Sequence, residues 1–257
     1  MEWLYTLAGL AVGFIVGLTG VGGGSLMTPL LVMAFGMPPS TAVGTDLLYA
    51  ALTKAGGTWV HWRRGNVDLK VVGWLASGSL PASLGTLWFL KKYVVNTPAL
   101  ETLISTTLGV ALLATAAALL LKGRVGRKTS PEDAPAQIKP RRGAATVLTG
   151  VCLGVLVTLS SVGAGALGTV ALIVLYPRLA PVKVVGTDIV HAVPLTLVAG
   201  IGHLYLGTVD FVLLARLLAG SLPGIWVGSH LASRLPTGVL RPILACMLAL
   251  IGGRLVF

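Results

Sequence analysis

Charge is what this chain has least of. Only 11% of its 257 residues are Asp, Glu, Lys or Arg, against about 25% in an ordinary soluble domain. So few charges could not cover the surface of a soluble fold of this length, which excludes a soluble globular domain. Acidic residues are the scarcest, 8 against 19 Lys and Arg, leaving a net charge of +11. In a soluble protein that excess would point to nucleic acid. In a chain whose mean hydropathy is +0.90 it fits the bias of basic residues toward the cytoplasmic loops of membrane proteins. Cysteine is almost absent. Cys152 and Cys246 lie inside apolar runs and read as small core residues, not as a disulfide or metal framework. No His-x-x-x-His and no Cys-x-x-Cys occurs, so neither a metal nor another cofactor is expected.

What the chain has is long apolar stretches, several reaching the roughly 20 residues a bilayer-spanning helix needs. They fall at about 2–18, 24–36, 40–60, 68–90 and 99–121, then 143–160, 164–176, 182–206, 209–231 and 237–257. The first lacks a basic lead-in and a clear cleavage site, and reads as a retained helix and not a signal peptide. The second segment of each group is too short to span upright, and whether it spans or re-enters is left open.

The two groups repeat each other. Val43-Gly44-Thr45-Asp46 recurs as Val185-Gly186-Thr187-Asp188, Gly65-Asn66-Val67-Asp68 as Gly207-Thr208-Val209-Asp210, Gly78-Ser79-Leu80-Pro81 as Gly220-Ser221-Leu222-Pro223, and His61 as His203. All share one offset (185−43, 207−65, 220−78 and 203−61 each equal 142), which a chance match would not keep. Val21 to Leu26 matches Val162 to Leu167 at an offset of 141. The fold expected is an all-α polytopic membrane protein of two inverted repeats. Each has about five helical segments, with broken or short helices at the repeat interface. Residues 1–121 form the first repeat, 122–142 a basic linker without fold of its own, and 143–257 the second. The linker holds Pro131, Pro135, Pro140 and seven Lys/Arg. With it in the cytoplasm, Arg63 and Arg64 fall inside while their uncharged counterpart, Leu204 to Thr208, falls outside. The uncharged loop Phe35 to Ser40 falls outside while its counterpart, with Arg178 and Lys183, falls inside. That alternation is what inverted halves predict; Lys91 and Lys92 are its exception. The location expected is the cell membrane, multi-pass.

Gly20-Val21-Gly22-Gly23-Gly24-Ser25 interrupts one apolar run, and Ser160-Ser161-Val162-Gly163-Ala164-Gly165 another. Helices interrupted at corresponding places in two repeats point to a binding site. The free N–H groups and the positive end of the following helix suit an anion. Thr19, Ser25, Ser160 and Ser161 add hydroxyls, and Gly22, Gly23, Gly24, Gly163 and Gly165 allow close approach. The competing reading is that these glycines serve helix packing. Thr45 and Thr187 face the same substrate or bond their own backbone. Asp46 and Asp188, carboxylates within apolar segments, are functional candidates by default: either proton-coupling groups or structural acceptors at a broken helix. Tyr49 and its counterpart His191 follow within a turn, as coupling or gating candidates. Lys54, about 12 Å along the helix from Asp46, neutralises an anion or reaches the surface near His61; snorkelling is the reading favoured. Arg216 is a further candidate contact for the anion or for Asp188. His61, His203, Asp68 and Asp210 read as capping or interface residues.

The run Gly17 to Gly24, Pro29-Leu30, Ala42-Val43-Gly44-Thr45-Asp46, His61, Gly65 to Asp68, and Gly78-Ser79-Leu80-Pro81 with Gly85 closely resembles the sulfite exporter TauE/SafE family, also called toluenesulfonate uptake permeases. The resemblance covers nearly the whole chain outside the linker. The second half carries Ser161-Val162-Gly163-Ala164-Gly165 in place of the fuller glycine run. What the resemblance implies is a prokaryotic plasma-membrane transporter of sulfite, thiosulfate-like species or organosulfonates. The expected activity is therefore alternating-access transport of a small sulfur-containing anion, proton-coupled and not enzymatic. An anion channel is the alternative, and an intramembrane aspartyl protease a remote one. The partners expected are the anion, the lipid bilayer and, as one open assembly, a second copy of the chain; nucleic acid is not among them. If the breaks bind the anion, Gly23→Val impairs transport more than stability. Uptake unchanged in that variant would leave the glycines a packing role only.

Overall fold

A computed structural model of the chain describes residues 2–19, 24–94, 98–125, 140–231 and 237–256. Among them every regular element is helical: α1 Glu2–Thr19, α2 Gly24–Phe35, α3 Pro39–Arg63, α4 Leu69–Phe89 with a π-helical turn Leu90–Val94 on its end, α5 Ala99–Val125, α6 Pro140–Ser160, α7 Ala166–Leu175, α8 Pro181–Tyr205, α9 Phe211–Leu231 and α10 Thr237–Val256. Four of these, within α5, α6, α8 and α9, are both long and apolar enough to cross a bilayer. The helices α5 and α6 run into the stretch expected to be linker, to Val125 and from Pro140. The remainder of that linker, 126–139, lies outside the described residues.

Packing recurs between the halves. The helix α1 lies on α9 as α6 lies on α4, α3 crosses α8, α5 crosses α10, and α2 and α7 rest on α3 and α8 respectively. Small residues set the closest approaches. Gly9, Gly13 and Gly17 of α1 face the carbonyls of Leu217, Ser221 and Ile225, while Gly220, Gly224 and Gly228 of α9 face those of Thr6, Leu10 and Phe14. Residue numbers rise together along both helices, so α1 and α9 run parallel. In the matching pair, Gly150 and Gly154 of α6 meet Leu75 and Ser79 of α4. Lipid tails are as apolar as leucine, so burial of apolar surface cannot drive this association. Close backbone contact does, and it needs residues without side chains.

The short helices fold back on their predecessors. Tyr176, just past α7, hydrogen-bonds Thr146 near the start of α6, oxygen to oxygen 2.6 Å. At the matching place Phe35, at the end of α2, stacks on Tyr5 of α1 with ring centroids 4.8 Å apart. Each half thus begins with a helical hairpin that enters and leaves at one end. A helix of 12 residues (α2) or 10 (α7) rises about 15–18 Å, far short of a bilayer core of about 30 Å. The described tip, between α6 and α7, is accordingly inside the bundle. Of the α6–α7 tip, residues 160–164 are all buried.

Tryptophan and tyrosine mark the ends of the long helices. Trp59, Trp62, Trp88, Tyr93, Tyr205 and Trp226 are exposed, as interfacial anchors are. Arg63 lies 4.3 Å from the Trp59 ring centroid, and Lys92 lies 4.9 Å from that of Trp88. One of the two lysines that depart from the loop-charge pattern, Lys92, is therefore held by aromatic faces.

The α1–α9 contact yields a comparison. A methyl on Gly224 would overlap the Leu10 carbonyl, whereas one on Gly85 meets nothing. Gly224→Ala is expected to cost about 1–3 kcal/mol, the usual penalty of overpacking, read as a lower melting temperature in detergent. Gly85→Ala leaves the melting temperature unchanged or slightly raised.

Candidate functional site

The two Gly-Thr-Asp segments do the same three things in opposite halves. A side chain on Gly44 would run into the Thr208 carbonyl, and one on Gly186 into that of Asn66, so both positions let α3 and α8 seat against the turn of the other half. The next residue fixes the turn. Thr45 Oγ1 accepts the Asp210 amide at 3.0 Å, and Thr187 Oγ1 accepts the Asp68 amide at 3.0 Å. Asp210 and Asp68 in turn cap α9 and α4, accepting from the amides of Leu213, and of Lys70 and Val71. The third residue, the aspartate, is buried and reaches its own half's short helix. Asp46 accepts from Thr28 Oγ1 of α2, and Asp188 Oδ2 accepts from Thr169 Oγ1 of α7 at 3.1 Å.

The hydroxyls of Thr45 and Thr187, read from the sequence as facing a substrate or bonding backbone, hold the turns between the helix pairs. Ser160 is also occupied locally, donating to the Leu156 carbonyl at 2.6 Å and accepting from the Val162 amide at 3.2 Å. His203 takes the capping role read from its position. Its Nδ1 pairs with Thr208 Oγ1 at 2.8 Å and its Nε2 with the Thr158 carbonyl at 2.9 Å. Arg216 lines a cavity with Tyr5, Met37 and Asp210.

The break between α6 and α7 brings the other candidates together. Three bends make it: Ser161 at φ 57°, Gly163 at 122° and Gly165 at 142°. Glycine adopts such angles without cost, while Ser161 sits where a side chain is disfavoured. The Gly168 amide turns back to the Gly163 carbonyl, and that of Thr169 to the Gly165 carbonyl. The preceding amides, of Ala166 and Leu167, belong to the first turn of α7, which the helix itself leaves without partners.

Lys54 reaches this break. Its ammonium donates to the Ala164 carbonyl at 2.7 Å, and it acts electrostatically on both Asp188 and Asp46. The expected snorkelling toward His61 is overturned: a carbonyl freed by the broken helix is within reach, and two carboxylates draw the ammonium inward. Ser161 Oγ lies beside Asp46. It closes no hydrogen bond, and Ser161 Oγ and Asp46 Oδ1 are both buried without a partner among the described residues. Tyr49 is buried with its hydroxyl beside Ser221 of α9. Its counterpart His191 bonds Ser79 Oγ of α4 at 2.8 Å and lies within the field of Lys54.

In the first half, α1 closes on Thr19 and α2 opens at Gly24, followed by the buried Ser25. The side chain of Thr19, and Gly22 and Gly23 altogether, lie outside the described residues. No group of three or more metal-ligating side chains occurs among the described residues. Thr28, Thr169 and Ser79 do not stand out in the sequence as site residues. The signal that finds the threonines is the repeat itself, since 169−28 equals the offset of 141 that relates the two breaks.

A helical bundle of two alike halves, with buried charge between them and four helices of bilayer-crossing length, has the form of a multi-pass membrane transporter. The chain belongs to the sulfite exporter TauE/SafE family, whose family-level match runs over residues 5–255. It is 40% identical over 250 residues to the "Probable membrane transporter protein YjnA" of Bacillus subtilis, covering 97% of this chain and 98% of that one. It is 29% identical to YdhB of the same organism, over 99% and 100% of the two chains, and 26% identical to a "Probable membrane transporter protein" of Xylella fastidiosa, over 88% and 83%. No solved structure matches.

The mirrored threonines allow a direct check. Thr45→Val strands the Asp210 amide and Thr187→Val the Asp68 amide. Each is expected to cost about 1 kcal/mol, the low end for a donor left unmade because both contacts are only partly buried, with similar falls in detergent melting temperature. A fall in only one of the two would mean that the pair is not equivalent.

Proposed function

We propose that the chain is a secondary transporter. It moves a small sulfur-containing anion, sulfite or a small organosulfonate, across the plasma membrane by alternating access, with a proton gradient as driving force. The observation that carries this reading is the position of Lys54. Its ammonium sits at the turn between α6 and α7, hydrogen-bonded to a neutral carbonyl. A half-buried cation within a membrane segment is costly unless charge and hydrogen bonds answer it. Here the ammonium, the Ser161 hydroxyl and the first amides of α7 are all donors around one break. That is what a compact oxyanion requires. The family's description as a sulfite exporter supplies the chemical class of that anion.

Alternating access rests on the two halves, 1–121 and 143–257, standing inverted in the membrane. Support comes from the hairpins. If each leaves by the face it entered, a half crosses the bilayer only by its three long helices after the hairpin. An odd number of crossings turns the second half over. The loop charges agree with residues 122–142 in the cytoplasm, beside Arg63, Arg64, Arg178 and Lys183. Two hairpins entering from opposite faces, with α2 resting on α3 and α7 on α8, give a barrier that either half can open.

The test is transport of radiolabelled sulfite and of two- and three-carbon sulfonates into proteoliposomes. Lys54→Gln is expected to lose at least tenfold in rate, roughly what a charged hydrogen bond of 1.5–3 kcal/mol is worth. Lys54→Arg is expected to keep part of it. Wild-type rates in folded Lys54→Gln protein would refute this site, and wild-type flux no faster than through protein-free vesicles would refute the substrate class.

A further inference from the structure

The duplicated aspartates match in sequence but not in surroundings. Asp188 meets α7 with both oxygens, one through a hydrogen bond and the other by packing. Its Oδ2 accepts from Thr169, whose hydroxyl also bonds the Gly165 carbonyl, and its Oδ1 lies so close over Gly168 that a methyl there would collide with it. Asp188 thus seats the start of α7. Asp46 differs in what its second oxygen faces: Oδ2 accepts from Thr28, while Oδ1 is buried, closes no hydrogen bond among the described residues and belongs to a carboxylate beside the Ser161 hydroxyl of the break.

Charge counting gives that difference a consequence. With Lys54 at +1 and both aspartates at −1, the cluster is net negative and repels an arriving anion. One proton on one carboxylate makes it neutral, and the anion can then be held. A proton on Asp188 Oδ1 would have the backbone of Gly168 in front of it. A proton on Asp46 Oδ1 converts an unmatched acceptor into a donor beside the break, where it adds to the ammonium, the hydroxyl and the α7 amides. Among the described residues, the charged or titratable groups facing Asp46 are Lys54 and Tyr49, both on α3. The short helix α2 presents the Thr28 hydroxyl and amide to it and the break the Ser161 hydroxyl, neither of them a titratable group, and from α8 Asp188 and His191 bear on Lys54.

We infer that the two aspartates have divided their labour: Asp46 carries the coupling proton on Oδ1 and shares it with the bound anion, and Asp188 is its structural twin. This rests on the transporter reading above. The proton binds from water at one face, travels on Asp46 while its hydrogen bond holds the anion, and returns to water when the anion leaves at the other face. Proton and anion therefore move in the same direction.

The experiment uses the full chain in proteoliposomes with radiolabelled sulfite and an internal pH dye, the outside more acidic than the inside and both above neutrality. Wild-type protein should accumulate sulfite with the gradient and acidify the lumen as it does so, beyond protein-free vesicles. Asp46→Asn, which mimics the protonated acid in shape and donor, should exchange sulfite between symmetric solutions. Its uptake should be the same with and without the gradient. Asp46→Glu should restore gradient-driven uptake in part. Asp188→Asn should melt at a lower temperature, yet whatever transport its folded fraction retains should respond to the gradient as wild type does. Gradient-driven accumulation by Asp46→Asn would overturn the inference, as would its loss in folded Asp188→Asn. If Asp46→Asn is not monodisperse on size exclusion, Asp46→Glu decides: gradient response absent in that folded variant counts against the assignment. Absence of sulfite flux in the wild type would instead refute the transporter reading itself, and this inference with it.

Discussion

Backbone that leaves the helix inside an apolar slab must find its hydrogen bonds in protein, because lipid supplies none. The stretch Ser161 to Gly165 is under that constraint, and the arrangement around it answers it. Ser160 bonds both sides of the turn with one hydroxyl. Lys54 takes the carbonyl of Ala164. Thr169 ties the start of α7 both to its own backbone and to Asp188. Beside these closed contacts, Asp46 Oδ1 and Ser161 Oγ adjoin the break without a hydrogen bond among the described residues. A fold that closes the main-chain contacts of a buried turn, and leaves side-chain groups open there beside a cation, has the makings of a binding site.

The rest of the bundle keeps this turn in place. Parallel glycine-faced helices, α1 on α9 and α4 with α6, give rigid pairs. The cross-half links from Thr45 to Asp210 and from Thr187 to Asp68 fasten α3 to the start of α9 and α8 to the start of α4. These links come in matched pairs, and so does the aspartate–threonine contact behind them. The centre does not match. Lys54 has Thr196 as its counterpart, whose hydroxyl bonds its own helix at the Ala192 carbonyl, and Tyr49 has His191. Among the described residues the frame is matched between the halves, while Lys54 and Tyr49 differ from their counterparts and leave one charged centre where exact symmetry would give two.

How much of this is legible in the sequence follows from what each feature depends on. The helices are readable to within a few residues, because hydropathy and length are local properties. The repeat is readable because identity at a constant offset survives where the residues still make the same contacts. The direction of a side chain is not. Thr45 and Thr187 look like ligand contacts because they adjoin an aspartate, yet the turn each one holds lies well over 100 residues away in the chain. Lys54 looks bound for the surface, a fair default for a lone lysine in an apolar helix. Its actual acceptor is a main-chain carbonyl that exists only because another helix is broken 110 residues further on. Facing partners at such separations are set by helix crossing, and spacing within one segment does not encode it.

Anomalous scattering would bear most directly on where the anion sits. Selenite has the shape and charge of sulfite, and selenium can be located by its X-ray absorption edge. In crystals of the full chain grown with selenite, a selenium peak is predicted within hydrogen-bond reach of Lys54 Nζ and Ser161 Oγ, at the mouth of α7, and it should vanish in Lys54→Gln. Selenium bound in the bundle elsewhere, with the Lys54 to Ala164 contact undisturbed beside it, would contradict the claim that this break is where the anion is held.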